Sequence, residues 1–281
     1  MEQISIQLAN GLVVGSTIAL AALGLTLVFG IMHIVNLSHG EFYMLGAYLT
    51  WAAFAVLGNF WLSVLVATLA TAVLGGGLLM AFSGKLADAG PMRWALLTLG
   101  FGYVLRELVQ VIFGKEFKLV SHPIDGTVPY LGGAYRVTVM AIGMSLILAL
   151  ALFLARSRQG ILIRAVASNA EAAAVVGVSK RLVHVWVAVI SAALAGAAGA
   201  LMLPITSAYS TMGLEISILA FVVVVVGGMG NIQGAFIASL VAGELQAILL
   251  LIVPPSAATI IVLVVFMTIL VFRREGVRRL W

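Results

Sequence analysis

Cysteine is absent from the 281-residue sequence, and charged residues are scarce. Without cysteine the chain forms no disulfide and offers no thiolate metal ligand or thiol nucleophile. Asp, Glu, Lys and Arg make up 9% of the residues, against about 25% in a soluble domain. So few charges beside so many aliphatic side chains favour collapse, which excludes a disordered chain. The net charge is +5, but the basic residues form short clusters rather than a stripe, and we predict no nucleic-acid partner.

Motifs for catalysis and nucleotide binding are also missing. The chain has no G-x-x-x-x-G-K-[ST], G-x-S-x-G or H-E-x-x-H segment, so we expect it neither to hydrolyse ATP alone nor to be an enzyme. Gly-Gly-Met-Gly at 227–230 lacks the strand that precedes a dinucleotide fingerprint. His33, His39 and Glu41 do not have a recurring metal-ligand spacing. We predict no catalytic residues, no cofactor and no metal.

Apolar residues make up 63% of the chain, and its mean hydropathy is +1.20. A globule of this length could not bury so much apolar surface, so lipid is its expected solvent. Because a span needs about 20 apolar residues, the charge-free stretches predict an all-α, polytopic transmembrane helix bundle of about eight to nine spans, in a single domain over 1–281. The predicted spans are 7–31, 40–57, 60–84, 93–113, 137–155, 183–203, 215–229, 235–253 and 257–272. The first and seventh would also fit a broken or re-entrant helix.

Basic residues predict the orientation of these spans, because Lys and Arg concentrate in cytoplasmic loops. Two basic clusters lie in the loop 156–182 and in the C-terminal tail, and four predicted spans separate them. An even number of spans places both clusters on the same side. We therefore predict a cytoplasmic C-terminus, an external N-terminus and cytoplasmic Lys85 and Arg93. The expected location is a bacterial inner membrane.

The polar stretch 33–41 interrupts the apolar pattern near the predicted inner face. Non-helical backbone at membrane depth must line protein or water, since lipid offers no hydrogen bonds. We interpret the stretch as part of a solute path or gate, with a purely structural turn as the alternative. Asn36 or Ser38 fits the N-cap of the following helix, and Glu41 would complete a capping box with Ser38. The candidate path residues are Asn36, Ser38, His39, Gly40 and Glu41.

Other polar residues also fall within the apolar pattern. Arg106 is predicted to snorkel where its helix leaves the membrane. Glu244, inside a predicted span, fits a packing role or a path role equally. A glycine-rich turn weakly echoes the stretch at 36–42 and adds Gly230, Asn231 and Gly234 to the candidate path.

The basic loop 156–182 contains an alanine-rich segment with helix signals. Ser168 and Glu171 have the spacing of a capping box, and Gly177 fits the residue that ends a helix. The sequence therefore predicts a short helix over roughly 169–176. Its Ala and Val face is apolar enough to rest on the membrane surface or to enter a groove of a partner.

These segments carry a resemblance to a known family. The chain reads GLVVGS at 11–16, AALGLTLVFG at 21–30, NLSHGEFYMLGAY at 36–48 and GGMGNIQGA at 227–235. In this order, together with the basic loop, they resemble the first-permease type of branched-chain amino acid ABC importers. The chain also resembles urea and amide importer permeases. Within the loop, the residues that resemble the family's ATPase-coupling segment are Arg164, Ser168, Glu171, Ala172, Ala173 and Gly177. The usual continuation of that motif is not clean here, because Leu203-Pro204 comes too late.

The resemblance implies a type II-like importer fold and several partners. These are a second, different permease, two ATP-binding subunits at the cytoplasmic face and an external solute-binding protein that delivers a small solute. The solute implied is a branched-chain amino acid or a related small polar organic molecule. Two alternatives remain open: an ion-coupled secondary transporter that uses Glu41, Glu107 or Glu244, and a membrane-embedded enzyme that uses His33, His39 and Glu41.

Overall fold

The computed structural model describes residues 2–83 and 90–272, and this part of the chain is almost wholly helical. A short antiparallel hairpin of β1 (Thr127–Val128) and β2 (Gly132–Gly133) follows the fourth helix. The helices are α1 (Glu2–Met32), α2 (His39–Leu57), α3 (Phe60–Ser83), α4 (Pro91–Phe113), α5 (Ala134–Arg156), α6 (Arg158–Ser168), α7 (Ala170–Val175), α8 (Lys180–Thr206), α9 (Met212–Gly227), α10 (Ile232–Leu249) and α11 (Pro255–Phe272). The predicted all-α class is confirmed.

Eight helices of the described residues are long and apolar enough to cross a membrane, namely α1 to α5, α8, α10 and α11. α9 is equally apolar but has 16 residues, fewer than a full span needs. The prediction of about eight to nine spans is therefore confirmed. α1 continues for 31 residues without a break, so the first predicted span is a single helix. Lys85 and the tail arginines Arg273, Arg274, Arg278 and Arg279, used to predict orientation, lie outside the described residues.

The bundle has two ends, which we name the hairpin end and the α7 end. At the hairpin end, a Cβ on Gly132 would lie 3.2 Å from the Ile6 side chain near the start of α1. At the α7 end, Ile31 near the end of α1 lines a cavity together with Arg164 of α6. α1 therefore runs the full distance from the hairpin end to the α7 end.

Small residues let α1 and α10 pack closely in opposite directions. Gly230, just before α10, contacts Gly30 near the end of α1. The Gln7 side chain donates a hydrogen bond to the Ala247 carbonyl near the other end of both helices. A Cβ on Gly243 would lie 2.3 Å from the backbone nitrogen of Gly15. In lipid, such close backbone approach is a main source of helix association.

α8 lies at the centre of the bundle, and 72% of its most apolar 18-residue stretch is buried. It packs against α1, α2 and α3. A Cβ on Gly46 of α2 would lie 2.1 Å from the Gly196 carbonyl oxygen. The outer helices are much less buried. Only 17–33% of the most apolar 18-residue stretch is buried in α3, α4, α5 and α11. Their exposed apolar faces suit lipid.

Candidate translocation and coupling sites

The stretch 33–38 is a non-helical segment that turns back into the bundle. α1 ends at Met32, and His33 has a φ of +54°, which reverses the chain direction. α2 then begins at His39, whose Nε2 lies 2.9 Å from the Ala21 carbonyl oxygen. Ala21 precedes the end of α1 by 11 residues, about 16 Å along the helix. The sequence predicts a position near the inner face. The structure instead places the segment well inside the bundle.

Hydrogen bonds hold the buried polar residues of this segment. The Asn36 Oδ1 accepts from the Ser38 backbone nitrogen at 3.1 Å and from its hydroxyl at 2.7 Å. The Leu37 nitrogen donates to the Thr98 hydroxyl of α4 at 3.1 Å. Ser38 occupies the N-cap position of α2, but its side chain makes no cap hydrogen bond. The predicted capping box is therefore wrong, because the Ser38 hydroxyl donates to the Asn36 side chain and Glu41 has a different partner.

That partner is Arg106 of α4, whose Nη2 lies 2.5 Å from Glu41 Oε1. Their side chains are 11% and 3% exposed. The prediction that Arg106 snorkels to the membrane surface is therefore wrong. A charge buried in an apolar bundle is tolerated when it is paired. The two residues are 65 positions apart in the sequence, so no local spacing indicates the pair.

His39 and Gly40 fix the start of α2 against neighbouring helices. The His39 Nδ1 is 3.4 Å from the Ser191 hydroxyl of α8. The Gly40 nitrogen donates to the Ser217 hydroxyl of α9 at 2.9 Å, and a Cβ on Gly40 would lie 2.0 Å from the Gly213 carbonyl oxygen. Asn36 and His39 also line a mainly apolar cavity of about 260 Å³. The structure thus brings all five predicted residues of this stretch together at the junction of α1, α2, α8 and α9.

The glycine-rich turn before α10 lies at the α7 end, away from this junction. The Asn231 side chain caps α10 by accepting from the Gly234 nitrogen at 3.0 Å. A Cβ on Gly234 would lie 1.8 Å from the Gly227 carbonyl oxygen. Gly230 and Arg164 line the same cavity of about 170 Å³. This turn therefore adjoins α6 and lines a different cavity from the one beside Asn36 and His39.

Glu244 occupies a third position, on the contact between α10 and α1. A Cβ on Gly11 would lie 2.5 Å from Glu244 Oε2. That oxygen is buried, and the described residues give it no hydrogen-bond partner. Glu244 does not join the other predicted path residues.

A cavity with several polar residues on its wall, about halfway along α1, was not predicted from the sequence. It has a volume of about 140 Å³ and is bounded by α1, α2, α8, α9, α10 and α11. Val14 and Ile18 of α1 lie on its wall, about 20 Å from either end of that helix. The polar residues on its wall are Thr17, Tyr43, Thr206, Tyr209, Glu215, Gln246 and Thr259. They come from six helices and the loop before α9, so no local sequence pattern identifies them.

The basic loop forms two helices rather than the one predicted. Ser168 is the last residue of α6, and its predicted role as a cap is wrong. Asn169 caps α7 instead, accepting from the Glu171 and Ala172 nitrogens at 3.0 and 2.9 Å. Gly177 ends α7 as predicted, with a φ of +85°. The nitrogens of Gly177 and Val178 donate to the Ala174 and Ala173 carbonyls, which forms a Schellman motif.

α7 projects its apolar tip away from the bundle while α6 anchors it. Val175 is 88% exposed and Val176 is 78% exposed. Ile163 and Val166 of α6 are buried, and α6 packs on α5 and α8. Ala173 is the buried residue of α7. α7 therefore presents an exposed apolar tip on a packed support.

Comparison with known families assigns the chain. A family model described as the permease component of branched-chain amino acid transport systems matches residues 7–270. The chain belongs to this permease family. The matched region includes the re-entrant segment at 33–38, the cavity halfway along α1 and α7. All the sites described above therefore lie within the part of the chain that the family model matches.

Named relatives of this permease family cover most of the chain. It is 26% identical to the high-affinity branched-chain amino acid permease BraD of Pseudomonas aeruginosa, over 96% of this chain and 94% of BraD. It is 28% identical to LivH of Escherichia coli K12, a permease of the same description, over 86% and 84% of the two chains. The inner membrane ABC transporter permease YjfF of E. coli K12 is 30% identical over 69% of this chain and 62% of its own. No solved structure matches the chain significantly.

Proposed function

We propose that this chain is a transmembrane permease subunit of an ATP-binding-cassette importer. It works as a single permease domain in a bacterial inner membrane. Its solute is a branched-chain amino acid or a related small polar organic molecule. The proposal is supported by family membership and by one structural observation: α7 exposes Val175 and Val176 in a chain with no ATP-binding motif. The energy for transport then enters through a partner.

The proposed partners are those that such a subunit needs. A second permease completes the path, two ATP-binding subunits contact α7, and an external solute-binding protein delivers the solute at the hairpin end. The α7 end is then cytoplasmic, and we propose the same side for the C-terminus. This orientation is supported by the basic residues around α6 and α7, including Arg156, Arg158 and Lys180.

Movement of α7 can reach the interior through α6. The Arg164 side chain donates to the Ala155 carbonyl of α5 at 3.1 Å, and Arg164 shares a cavity with Gly30 and Gly230. ATP-bound and ATP-free partners that contact α7 differently would favour different arrangements of α1 and α10. The proposed path includes the polar stretch at 36–41 and the turn at 230–234, with the cavity halfway along α1 between the two sides.

The test is co-purification and uptake with the complete transporter. Val175→Asp together with Val176→Asp should reduce the recovered ATP-binding subunit and ATP-driven uptake at least fivefold, because a charged tip disfavours an apolar groove. Leu131→Asp, an exposed apolar site at the hairpin end, is the matched control and should retain the ATP-binding subunit. Undiminished recovery and uptake with the α7 double variant would overturn the proposed docking.

One observation favours a second candidate, a proton-coupled transporter. Glu244 Oε2 is buried without a hydrogen-bond partner among the described residues, as expected for a carboxyl group that exchanges protons. Uptake by this chain alone, abolished by a protonophore and indifferent to ATP, would identify that function. Uptake that needs ATP and the partner subunits would exclude it.

A further inference from the structure

The cavity halfway along α1 has a carboxylate on its wall, and no described cation forms an ion pair with it. Glu215, in the first turn of α9, is an exposed residue on its wall. The one ion pair among residues 2–83 and 90–272 is Arg106 with Glu41. The backbone of Lys118 pairs with that of Ala208, which lies between two wall residues of the cavity. The ammonium group of Lys118, however, lies over the Trp51 ring, 5.1 Å from its centroid.

Neutral donors hold the Glu215 carboxylate in position. The Tyr209 hydroxyl donates to Oε2 at 2.8 Å, and the Thr211 hydroxyl donates to Oε1 at 3.4 Å. Burial, reinforced by the hydrogen bond to Glu215, raises the pKa of Tyr209 above its ordinary value. Its hydroxyl therefore keeps its proton and remains a donor. These bonds orient the carboxylate but leave its charge available to a ligand.

The rest of the cavity offers acceptors and an apolar wall. Thr17 and Thr259 donate their hydroxyl protons to backbone carbonyls of their own helices, so their oxygens can accept a further hydrogen bond. Gln246 donates to the Thr259 hydroxyl at 3.2 Å. Ile18 and Leu219 supply apolar surface. A cavity of about 140 Å³ is smaller than a site for a drug-sized ligand and suits the head group of a small solute.

We infer that Glu215 and Tyr209 form a subsite for a protonated amine on the solute path. A carboxylate beside hydroxyl acceptors attracts an ammonium group, which supplies both the opposite charge and several donors. A carboxylate solute without an amine would be repelled, and urea or an amide would gain no ionic attraction. This inference rests on the proposed importer function and narrows its solute to a molecule with a primary ammonium group.

The experiment uses the complete transporter in proteoliposomes with ATP inside or absent. The probes are a radiolabelled mixture of leucine, isoleucine and valine, together with urea, acetamide and 4-methylpentanoate. The wild type should accumulate the amino acids and not the other probes. Glu215→Gln keeps the size of the side chain and removes its charge, so amino-acid uptake should fall at least tenfold. Glu116→Gln makes the same change at an exposed residue outside the cavity and should change uptake less than twofold.

The results separate this inference from the proposed function. ATP-driven uptake of urea, acetamide or 4-methylpentanoate in place of the amino acids would overturn the subsite and leave the importer standing. Amino-acid uptake unchanged in Glu215→Gln would do the same. No ATP-driven uptake of any probe by the wild type would contradict both. Should Glu215→Gln fail to assemble, Tyr209→Phe tests the subsite instead. Loss of the Tyr209 hydroxyl should lower amino-acid uptake about threefold. An unchanged rate of uptake would overturn the subsite.

Discussion

Arg106 of α4 and Glu41 of α2 form a buried ion pair with 2.5 Å between Nη2 and Oε1. The two helices run in the same direction, and the pair joins the outward-facing α4 to the junction that holds the re-entrant segment. The guanidinium also lies over the Tyr103 ring, 5.2 Å from its centroid. These contacts fix α4 at a depth where lipid would not tolerate either charge alone.

Removing one partner of this pair should destabilise the protein strongly. Arg106→Leu leaves the Glu41 carboxylate buried without its cation, which costs about 3–5 kcal/mol. The thermal unfolding midpoint of the purified protein in detergent should fall, and Glu41→Gln in the same chain should restore most of the loss. Glu107→Gln, at the exposed neighbouring position, is the control. A midpoint that Arg106→Leu leaves unchanged would contradict the importance of the pair.

Glycine at the contact of α2 with α8 sets the distance between these helices. Gly46→Ala would place a Cβ 2.1 Å from the Gly196 carbonyl oxygen, so the helices must move apart, at a cost of about 1–3 kcal/mol. Gly77→Ala adds the same methyl to α3, where no atom lies within 4 Å. We expect Gly46→Ala alone to lower the unfolding midpoint. Equal midpoints for the two variants would refute the close packing.

Composition and periodicity predicted the helical class, the number of spans and the end of α7, because each depends on local sequence. The capping box at Ser168 failed for a local reason: α6 continues through Ser168, and the next residue, Asn169, is an equally good cap. The pairing of Arg106 with Glu41 and the cavity around Glu215 depend on residues far apart in the chain. Only the packing of helices brings such residues together, so no motif records them.

The cap of α7 distinguishes two neighbouring residues. Asn169→Ala removes the acceptor of the Glu171 and Ala172 amides and should cost the helix about 1 kcal/mol. Hydrogen exchange of the α7 amides should then accelerate about fivefold. Ser168→Ala, one residue earlier, should leave exchange unchanged because Ser168 makes no cap bond. The opposite pattern would restore the capping box predicted from the sequence.

The left-handed backbone at Gly177 should matter for coupling of ATP hydrolysis to uptake. With a φ of +85°, a β-branched side chain is strained there by about 1–2 kcal/mol, which favours unwinding of the Schellman motif at the end of α7. Gly177→Val should therefore lower the number of solute molecules imported per ATP hydrolysed, while the ATP-binding subunit still co-purifies. Gly177→Asn is the matched control, since asparagine adopts this conformation more readily, and its ratio should stay close to wild type. A normal ratio in Gly177→Val would show that force does not pass through the end of this helix.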